Sequence, residues 1–267
     1  MATLPSAFYE PTADGFRATA LTQGPWAPGF QHGGPPAALI AGAMARFGDD
    51  PDRRLLVRTS LELLRPVPID VVAVTVEVLR PGRRVDWLRA TLRCGFHVVA
   101  VATGMRITLA PLDVPPPHCA AIEPPAPPDG APPIAFPYPH PVGYLDGVDM
   151  RQVEGTWNAA GPVAVWARAK VPLVAGRAIE PIESVYLVAD AQNGICTALP
   201  TPGYMFVNAD LGVRLHRPFD GEWVGLRARA RGLPCGIGMN QGTLFDAQGE
   251  VGSVEQSLAL AQVASRR

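Results

Sequence analysis

A His-Gly-Gly run and two isolated polar residues occupy places in this sequence where they could do chemistry. His32-Gly33-Gly34 precedes a small, apolar segment, so its amides would lie at the positive end of a buried helix, able to meet an anion. Asp190 ends the apolar run VYLVAD, and Gln256 interrupts a strand of mostly small or apolar residues. Because a buried carboxylate or amide is costly without partners, these residues are candidates for a polar site.

The spacing of the other reactive side chains favours no competing chemistry. The histidines form no HxxxH pair, the chain has no GxSxG elbow, and HGG is not the phosphate loop GxxxxGK[ST]. No CxxC pair occurs, so reduced structural thiols are predicted at the four cysteines, which are Cys94, Cys119, Cys196 and Cys235. No metal ion or other cofactor is expected.

The composition and charge of the chain limit the kinds of binding partner that can be expected. The net charge of −1 and the pI near 6.5 give no reason to expect a nucleic-acid partner. No apolar run is long enough to span a bilayer, and the first residues lack the basic and apolar regions of a signal peptide. A cytoplasmic protein is therefore expected.

The chain reads as two halves around a linker. Proline recurs from Pro115 to Pro141 and disfavours both helix and central strand there. We predict an N-terminal unit over 1–112, a proline-rich linker over 113–141 and a C-terminal unit over 142–267. Leu-Leu-Arg-Pro at 63–66 matches Leu-His-Arg-Pro at 215–218, a shift of 152 residues, and a shift of 153 aligns His97 with Glu250. Such a shift indicates a duplicated unit.

Each unit should contain one buried helix followed by antiparallel strands. Residues 37–47 are apolar almost all round, which is typical of a buried helix. In the second unit a helix is predicted over 182–193, with Gly194 as its stop. The repeat register places Asp190 opposite Ala38 and Gln256 opposite Thr103.

The motif order identifies a family resemblance. GFQHGG, LLRPV, FVNADLGVRLHRPF, LFDAQGEVG and EQSL follow one another as in the acyl-CoA thioesterase II (TesB-like) family. The resemblance implies an α+β double hotdog, in which two antiparallel sheets each wrap around a central helix and join into one continuous sheet. It also implies hydrolysis of acyl-CoA to the free acid and CoA between the two units.

The same resemblance implies roles for three side chains. The family activates water with an aspartate, a Thr or Ser and a glutamine, which correspond here to Asp190, Asn208 and Gln256. Asn208 replaces the hydroxyl with an amide, which can still donate and accept hydrogen bonds. Asp190 is then the general base, and Gln256 and Asn208 hold the water. The alternatives are that Asp190 caps a turn and that Gln256 makes an ordinary cross-strand hydrogen bond.

The HGG segment is predicted to bind substrate rather than to attack it. The amides of Gly33 and Gly34 could polarise a thioester carbonyl or the glycines could only permit a tight helix entry, while His32 is interpreted first as the helix cap. Arg65 and Arg217 each precede a proline and are interpreted as structural residues. The basic turn from Arg80 to Arg84 is a further candidate for a CoA phosphate, or only a solvated turn.

Two other functions stay open. One is a non-catalytic acyl-CoA or lipid-binding protein with a degenerate site, which the amide at Asn208 keeps possible. The other is an enoyl-CoA hydratase, but that activity needs a histidine five residues after the aspartate, where this chain has Ile195. Because exposed sheet edges invite pairing, a homodimer or higher homo-oligomer is expected.

Overall fold

The computed structural model describes residues 4–48, 53–115, 122–134, 136, 140–201 and 203–263. Several residues of the proline-rich segment, among them His118 and Cys119, lie outside the described residues. The helices and strands of the first half are β1 (Tyr9–Thr12), β2 (Gly15–Ala18), α1 (Gly34–Ala45), β3 (Arg54–Leu63), β4 (Val71–Arg80), β5 (Val85–Cys94) and β6 (His97–Thr108).

The second half repeats this order with additions. Its elements are α2 (Gly143–Gly147), β7 (Val148–Glu154), β8 (Val163–Ala169), α3 (Pro181–Ala189), α4 (Gln192–Ile195), β9 (Tyr204–Asn208), β10 (Asp210–Leu215), β11 (Val224–Gly232), β12 (Ile237–Asp246) and β13 (Gly249–Gln262). In each half a two-stranded hairpin comes first, a buried helix follows, and the long strands come last.

All the strands belong to one antiparallel sheet. Their order is β1-β2-β4-β5-β6-β3-β10-β13-β12-β11-β8-β7, and β9 pairs with β13 beside β10. The order is palindromic: read from either end, each strand of the first half has a counterpart at the same place in the second half. The counterparts are β1 and β7, β2 and β8, β4 and β11, β5 and β12, β6 and β13, and β3 and β10. The halves meet where β3 pairs with β10, in a register that sets Leu61 opposite Leu211.

The strands repeat with the shift that the sequence indicates. β5 and β12, and likewise β6 and β13, begin 152 residues apart. Both pairs also carry an irregularity at matching places, after Leu92 in one half and after Leu244 in the other. This register makes Gly104, and not Thr103, the counterpart of Gln256.

The second helix differs from its prediction. α3 ends at Ala189 with Asp190 as its C-cap, and the separate short helix α4 runs through Gly194, so this glycine stops no helix. The register with Ala38 is also wrong, because Ala38 lies inside α1 whereas Asp190 follows the end of α3. Residues on both sides of the break are buried, and no glycine or proline between Pro181 and Gly194 marks the break in the sequence.

The two buried helices lie against each other and run antiparallel. Gly34 at the start of α1 is next to the carbonyl of Leu187 near the end of α3, and Gly42 is next to Glu183 near its start. A Cβ at Gly34 would collide with that carbonyl oxygen. The close approach of α1 to α3 therefore requires glycine at position 34.

Loop segments pair with part of each of the two outer strands. The segment after β8 bridges β1 at Tyr9 and Val174, and the amide of Ile134 donates to the carbonyl of Met150 in β7. The sheet edges that motivated the expected oligomer are thus partly paired within the chain. Among the described residues no helix combines the length and apolar character needed to cross a membrane.

Candidate active site

Asp190 is a buried carboxylate at the end of a helix. Its residue is 4% exposed and follows the last turn of α3. A carboxylate is unfavourable at the negative end of a helix dipole. The start of α1 offsets this here, since a Cβ on Gly33 would lie 2.7 Å from Asp190 Oδ2. The positive end of one helix therefore faces the charge that ends the other.

Two amide side chains hold one carboxylate oxygen. Asn208 Nδ2 donates to Asp190 Oδ1 at 3.0 Å, and Gln256 Nε2 donates to the same oxygen at 3.1 Å. Asn208 ends β9 and lies opposite Leu258 of β13, two residues beyond Gln256, so adjacent strands deliver both amides to one place. Two N–H donors thus converge on one acceptor oxygen of the carboxylate.

The two side-chain amides differ in what their carbonyl oxygens contact. Asn208 Oδ1 accepts from Asn193 Nδ2 at 3.2 Å, so both polar groups of the Asn208 amide are bonded within the protein. Gln256 Oε1 is buried and has no partner among the described residues. The Asn208 amide, held at both of its polar groups, therefore fixes the Asp190 carboxylate, whereas Gln256 keeps a buried acceptor without a partner among the described residues.

His32 contacts the other side of the carboxylate. Its Nδ1 lies 3.2 Å from Asp190 Oδ2 and accepts the amide of Gly34 at 3.0 Å. The ring stacks on Tyr144 with centroids 3.8 Å apart. Burial lowers the pKa of His32, and the nearby Asp190 carboxylate only opposes this shift. We therefore assign a neutral imidazole with its proton on Nε2.

The start of α1 offers fewer amides than HGG suggests. Pro35 and Pro36 have no N–H, and the amide of Gly34 is bonded to His32. The amide of Gly33 donates no hydrogen bond within the described part of the chain. Of the two predicted glycines, only Gly33 can polarise a substrate carbonyl, whereas Gly34 allows the helices to approach. His32 bonds the first helical amide, as a cap would, and contacts Asp190, while its predicted role in substrate binding stays a prediction.

Two clefts meet at this site. The first, which we call the Tyr144 cleft, is narrow: it occupies about 400 Å³ including space open to solvent, but only about 20 Å³ of it is wide enough for a water molecule. Its lining includes His32 and Asp190 together with the apolar residues Trp26, Phe136, Val142, Tyr144, Met150 and Ile195. The second, the Arg65 cleft, occupies about 940 Å³ including space open to solvent, and Gly33, Asn208, Trp26, Leu63, Leu64 and Arg65 are among its lining residues. Trp26 lines both clefts, so the carboxylate lies where they approach each other.

The first half has no equivalent site. The 152-residue register matches Asn208 with Leu56 and Gln256 with Gly104. A Cβ at Gly104 would lie 2.8 Å from Met44 Cε and 3.0 Å from Leu56 Cδ1, so the side chains of α1 and β3 already fill this place. The corresponding position is apolar and packed where the second half is polar.

The structure brings the six predicted site residues together. Asp190, Asn208, Gln256, His32 and Gly33 contact or face one another directly, and Gly34 joins them through His32. Sequence reasoning missed Asn193, Tyr144 and Trp26, because no local pattern distinguishes them from core or loop residues. No group of three His, Cys, Asp or Glu residues suited to a metal ion occurs in the described ranges.

Solved structures define the class of fold. The chain is similar to a protein from Novosphingobium aromaticivorans assigned as a thioesterase, with a TM-score of 0.70, 23% identity and coverage of 90% of this chain and 91% of that one. It is also similar to a hot dog-fold protein of unknown function from Alicyclobacillus acidocaldarius (TM-score 0.70, 16% identity, 96% of each chain). Acyl-CoA thioesterase II TesB2 from Mycobacterium marinum gives a TM-score of 0.65 at 17% identity, covering 92% of this chain and 98% of that one. The protein has a hotdog fold with one large antiparallel sheet.

Sequence profiles then identify the family. The profile of the acyl-CoA thioesterase N-terminal domain matches residues 22–107, and that of the C-terminal domain matches residues 123–260. The chain therefore belongs to the acyl-CoA thioesterase family, and its fold and family support a thioesterase-like function. Comparison with curated protein sequences found no significant match.

Proposed function

We propose that the protein hydrolyses acyl-CoA thioesters to the free acid and CoA, with Asp190 as the general base that activates water. The observation that carries this proposal is the position of Asp190. It is a buried carboxylate, held by the amides of Asn208 and Gln256, in the wall of an apolar cleft. Membership of the acyl-CoA thioesterase family supports the thioester as the substrate.

In the proposed reaction the water lies between Asp190 and Gln256. The unpartnered Gln256 Oε1 accepts one O–H of the water, and Asp190 removes the other proton as the water oxygen attacks the thioester carbonyl carbon. Asn208, fixed by Asn193, keeps the carboxylate oriented. General-base catalysis of this kind contributes about 10²–10⁴-fold to the rate.

The remaining groups act on the intermediate and on the proton. The amide of Gly33 donates to the thioester oxygen as negative charge develops there. The intermediate then collapses with breakage of the carbon–sulfur bond, and the sulfur leaves with the proton that Asp190 took from water.

In this proposal each cleft holds a different part of the substrate. We assign the acyl group to the Tyr144 cleft, because its lining is apolar apart from the residues around Asp190, and this narrow cleft would have to widen as the acyl chain enters. The CoA arm would then occupy the Arg65 cleft, which contains Gly33 and opens to solvent. The thioester carbon would lie between them, beside Asp190.

We also propose that the architecture is a double hotdog with α1 and α3 as its two central helices. The palindromic strand order and the 152-residue repeat of β5/β12 and β6/β13 support this division. The units would be residues 1–112 and 142–267, with 113–141 as the connection. A homo-oligomer remains a prediction, and the partial covering of β1 and β7 directs it to surfaces other than the sheet edges.

The test is free-thiol release from a panel of acyl-CoAs, short to long and including one aromatic acyl group. We expect Asp190→Asn to lower turnover by at least about 10²-fold, since the amide cannot accept the proton of water. The matched control is D14N at an exposed position, which should keep full activity. Circular dichroism should show the fold unchanged in both variants.

Two results would contradict the proposal. Release that is indifferent to Asp190→Asn would remove the carboxylate from the mechanism. Binding of acyl-CoA by the wild-type protein without any thiol release would instead support the alternative, a non-catalytic acyl-CoA or lipid-binding protein.

A further inference from the structure

The duplicated halves treat two matching arginines differently. Arg217 in the second half is fully engaged: its guanidinium donates to both oxygens of Asp246, at 2.5 and 2.6 Å, and to the carbonyls of Gly249 and Glu250. Asp246 is buried, and this bidentate pair lowers its pKa against the opposing effect of burial. Arg217 therefore has the structural role predicted from the sequence.

Its counterpart Arg65 has lost this role. The residue that corresponds to Asp246 in the 152-residue register is Cys94, which carries no charge to pair with a guanidinium. Arg65 is exposed, and its side chain makes no ion pair or hydrogen bond with any described residue. The structural reading of Arg65 is thus wrong, and the arginine remains without a structural reason for its charge.

Arg65 lies in the second cleft of the candidate site. Among the described residues that line the Arg65 cleft it carries the only charge, and most of the others are apolar. At the opposite limit of the cleft lie Gly33 and Asn208, which adjoin Asp190. The cleft is an apolar slot with a reacting carboxylate behind it and an exposed cation on its lining.

From this arrangement we propose that Arg65 binds a phosphate of the substrate's phosphopantetheine arm. The inference rests on the proposed thioester substrate and adds the group that holds its carrier. A guanidinium without a protein partner matches the geometry of a phosphate, and the apolar lining suits the uncharged pantetheine chain between phosphate and sulfur. The same phosphate chemistry occurs in CoA and in the prosthetic group of an acyl carrier protein.

The basic turn considered from the sequence is less well placed. Arg54 at the start of β3 bonds the carbonyls of Gly82 and Arg83, whereas Arg65 follows the end of β3. The ten-residue strand places the turn about 30 Å from the Arg65 cleft. Arg84 in this turn therefore provides a matched control, an arginine distant from the cleft.

The experiment compares wild type, R65Q and R84Q on three thioesters of one acyl group. These are acyl-CoA, acyl-4′-phosphopantetheine and acyl-pantetheine, the last of which has no phosphate. We expect R65Q to raise KM for acyl-CoA about 10-fold with kcat little changed, and to leave KM for acyl-pantetheine unaltered. R84Q should behave as wild type on all three. A thioester carried by an acyl carrier protein, tested in parallel, distinguishes the two sources of the phosphate.

Each outcome decides the assignment. Equal KM increases with and without phosphate would mean that Arg65 acts through packing, and an unchanged KM for acyl-CoA would mean that it binds nothing; either result overturns the inference. If the wild-type protein releases no thiol at all, the proposed function fails separately. Calorimetric binding of CoA to wild type and R65Q then still tests Arg65, and equal affinities would refute it.

Discussion

At the scale of single residues, the site is defined by which polar atoms around Asp190 have hydrogen-bond partners and which have none. Asn208 uses both halves of its amide, on Asp190 and on Asn193, whereas Gln256 uses one half and keeps a buried acceptor free. Buried polar atoms are normally satisfied, so an orphan acceptor beside a carboxylate points to a water or substrate group. An asparagine in place of the family's hydroxyl residue thus still serves the carboxylate.

His32 makes a pH prediction at this scale. Because burial lowers its pKa in the folded state, the unfolded chain binds a proton below about pH 6.5 that the folded protein does not. Its contribution to stability is therefore complete above about pH 6.5 and is lost as the pH falls. We expect His32→Gln to flatten the decline of the free energy of unfolding on acidification, by at most about 1.4 kcal/mol per pH unit.

Urea unfolding between about pH 5 and pH 7 measures this slope. The control is H97Q, which changes an exposed histidine and should leave the slope as in wild type. An identical slope in wild type and His32→Gln would show that the imidazole is not kept neutral by burial.

At the scale of elements, the site depends on how closely two helices approach. α1 and α3 run antiparallel, so the start of α1 meets the end of α3, where Asp190 lies. The other end of the helix pair is closed by ion pairs, with Glu183 bonded to both Arg177 and Arg46. The helices are thereby held so that the amide of Gly33 and the carboxylate stay together.

Gly34→Ala tests this approach. The added methyl group would meet the backbone carbonyl of Leu187, which cannot turn away as a flexible side chain would. We expect a loss of about 1–3 kcal/mol in the free energy of unfolding, measured by urea denaturation. The matched control is G212A in β10, where the nearest atom to a new Cβ is 3.8 Å away and little change is expected. Equal effects of both variants would contradict the requirement for glycine.

At the scale of the whole molecule, duplication has produced two unequal halves. The place of Asn208 and Gln256 is taken in the first half by Leu56 and Gly104, with Met44 packed between them. The palindromic sheet therefore contains two related positions, of which one is polar and adjoins clefts and the other is filled with apolar side chains. The polar candidate site thus lies in the second half, and the first half contributes HGG to it.

This asymmetry predicts one substrate site per chain. Isothermal titration of the protein with a thioether analogue of acyl-CoA, which cannot be hydrolysed, should give one equivalent bound per chain. Met44→Leu, in the filled position, should leave the stoichiometry and the affinity unchanged. Two equivalents per chain would show that the first half retains a site.

The sequence alone determined the features that local pattern carries. The buried helix α1 follows from its apolar sequence and is present, and the long strands repeat with the shift of 152 residues that the Leu-x-Arg-Pro spacing predicts, whereas the division into duplicated units stays a prediction. The helix break at Asp190 was missed, because no glycine or proline lies between Pro181 and Gly194 to mark it. The candidate side chains could be named from the sequence, since a polar residue within an apolar run is visible there without any knowledge of the fold.

Only the tertiary structure decided how those residues share the work. Asn193, Tyr144 and Trp26 meet the site through chain reversals that no local pattern records, and the orphan oxygen of Gln256 exists only once every other bond is placed. Arg217 forms an ion pair and Arg65 does not, because of the residue about 30 positions further along the chain. That residue is Asp246 in the second half and the uncharged Cys94 in the first. The sequence gives the polar side chains that could form a site. Their hydrogen bonds, their burial and the clefts around them depend on distances between residues that only the folded chain sets.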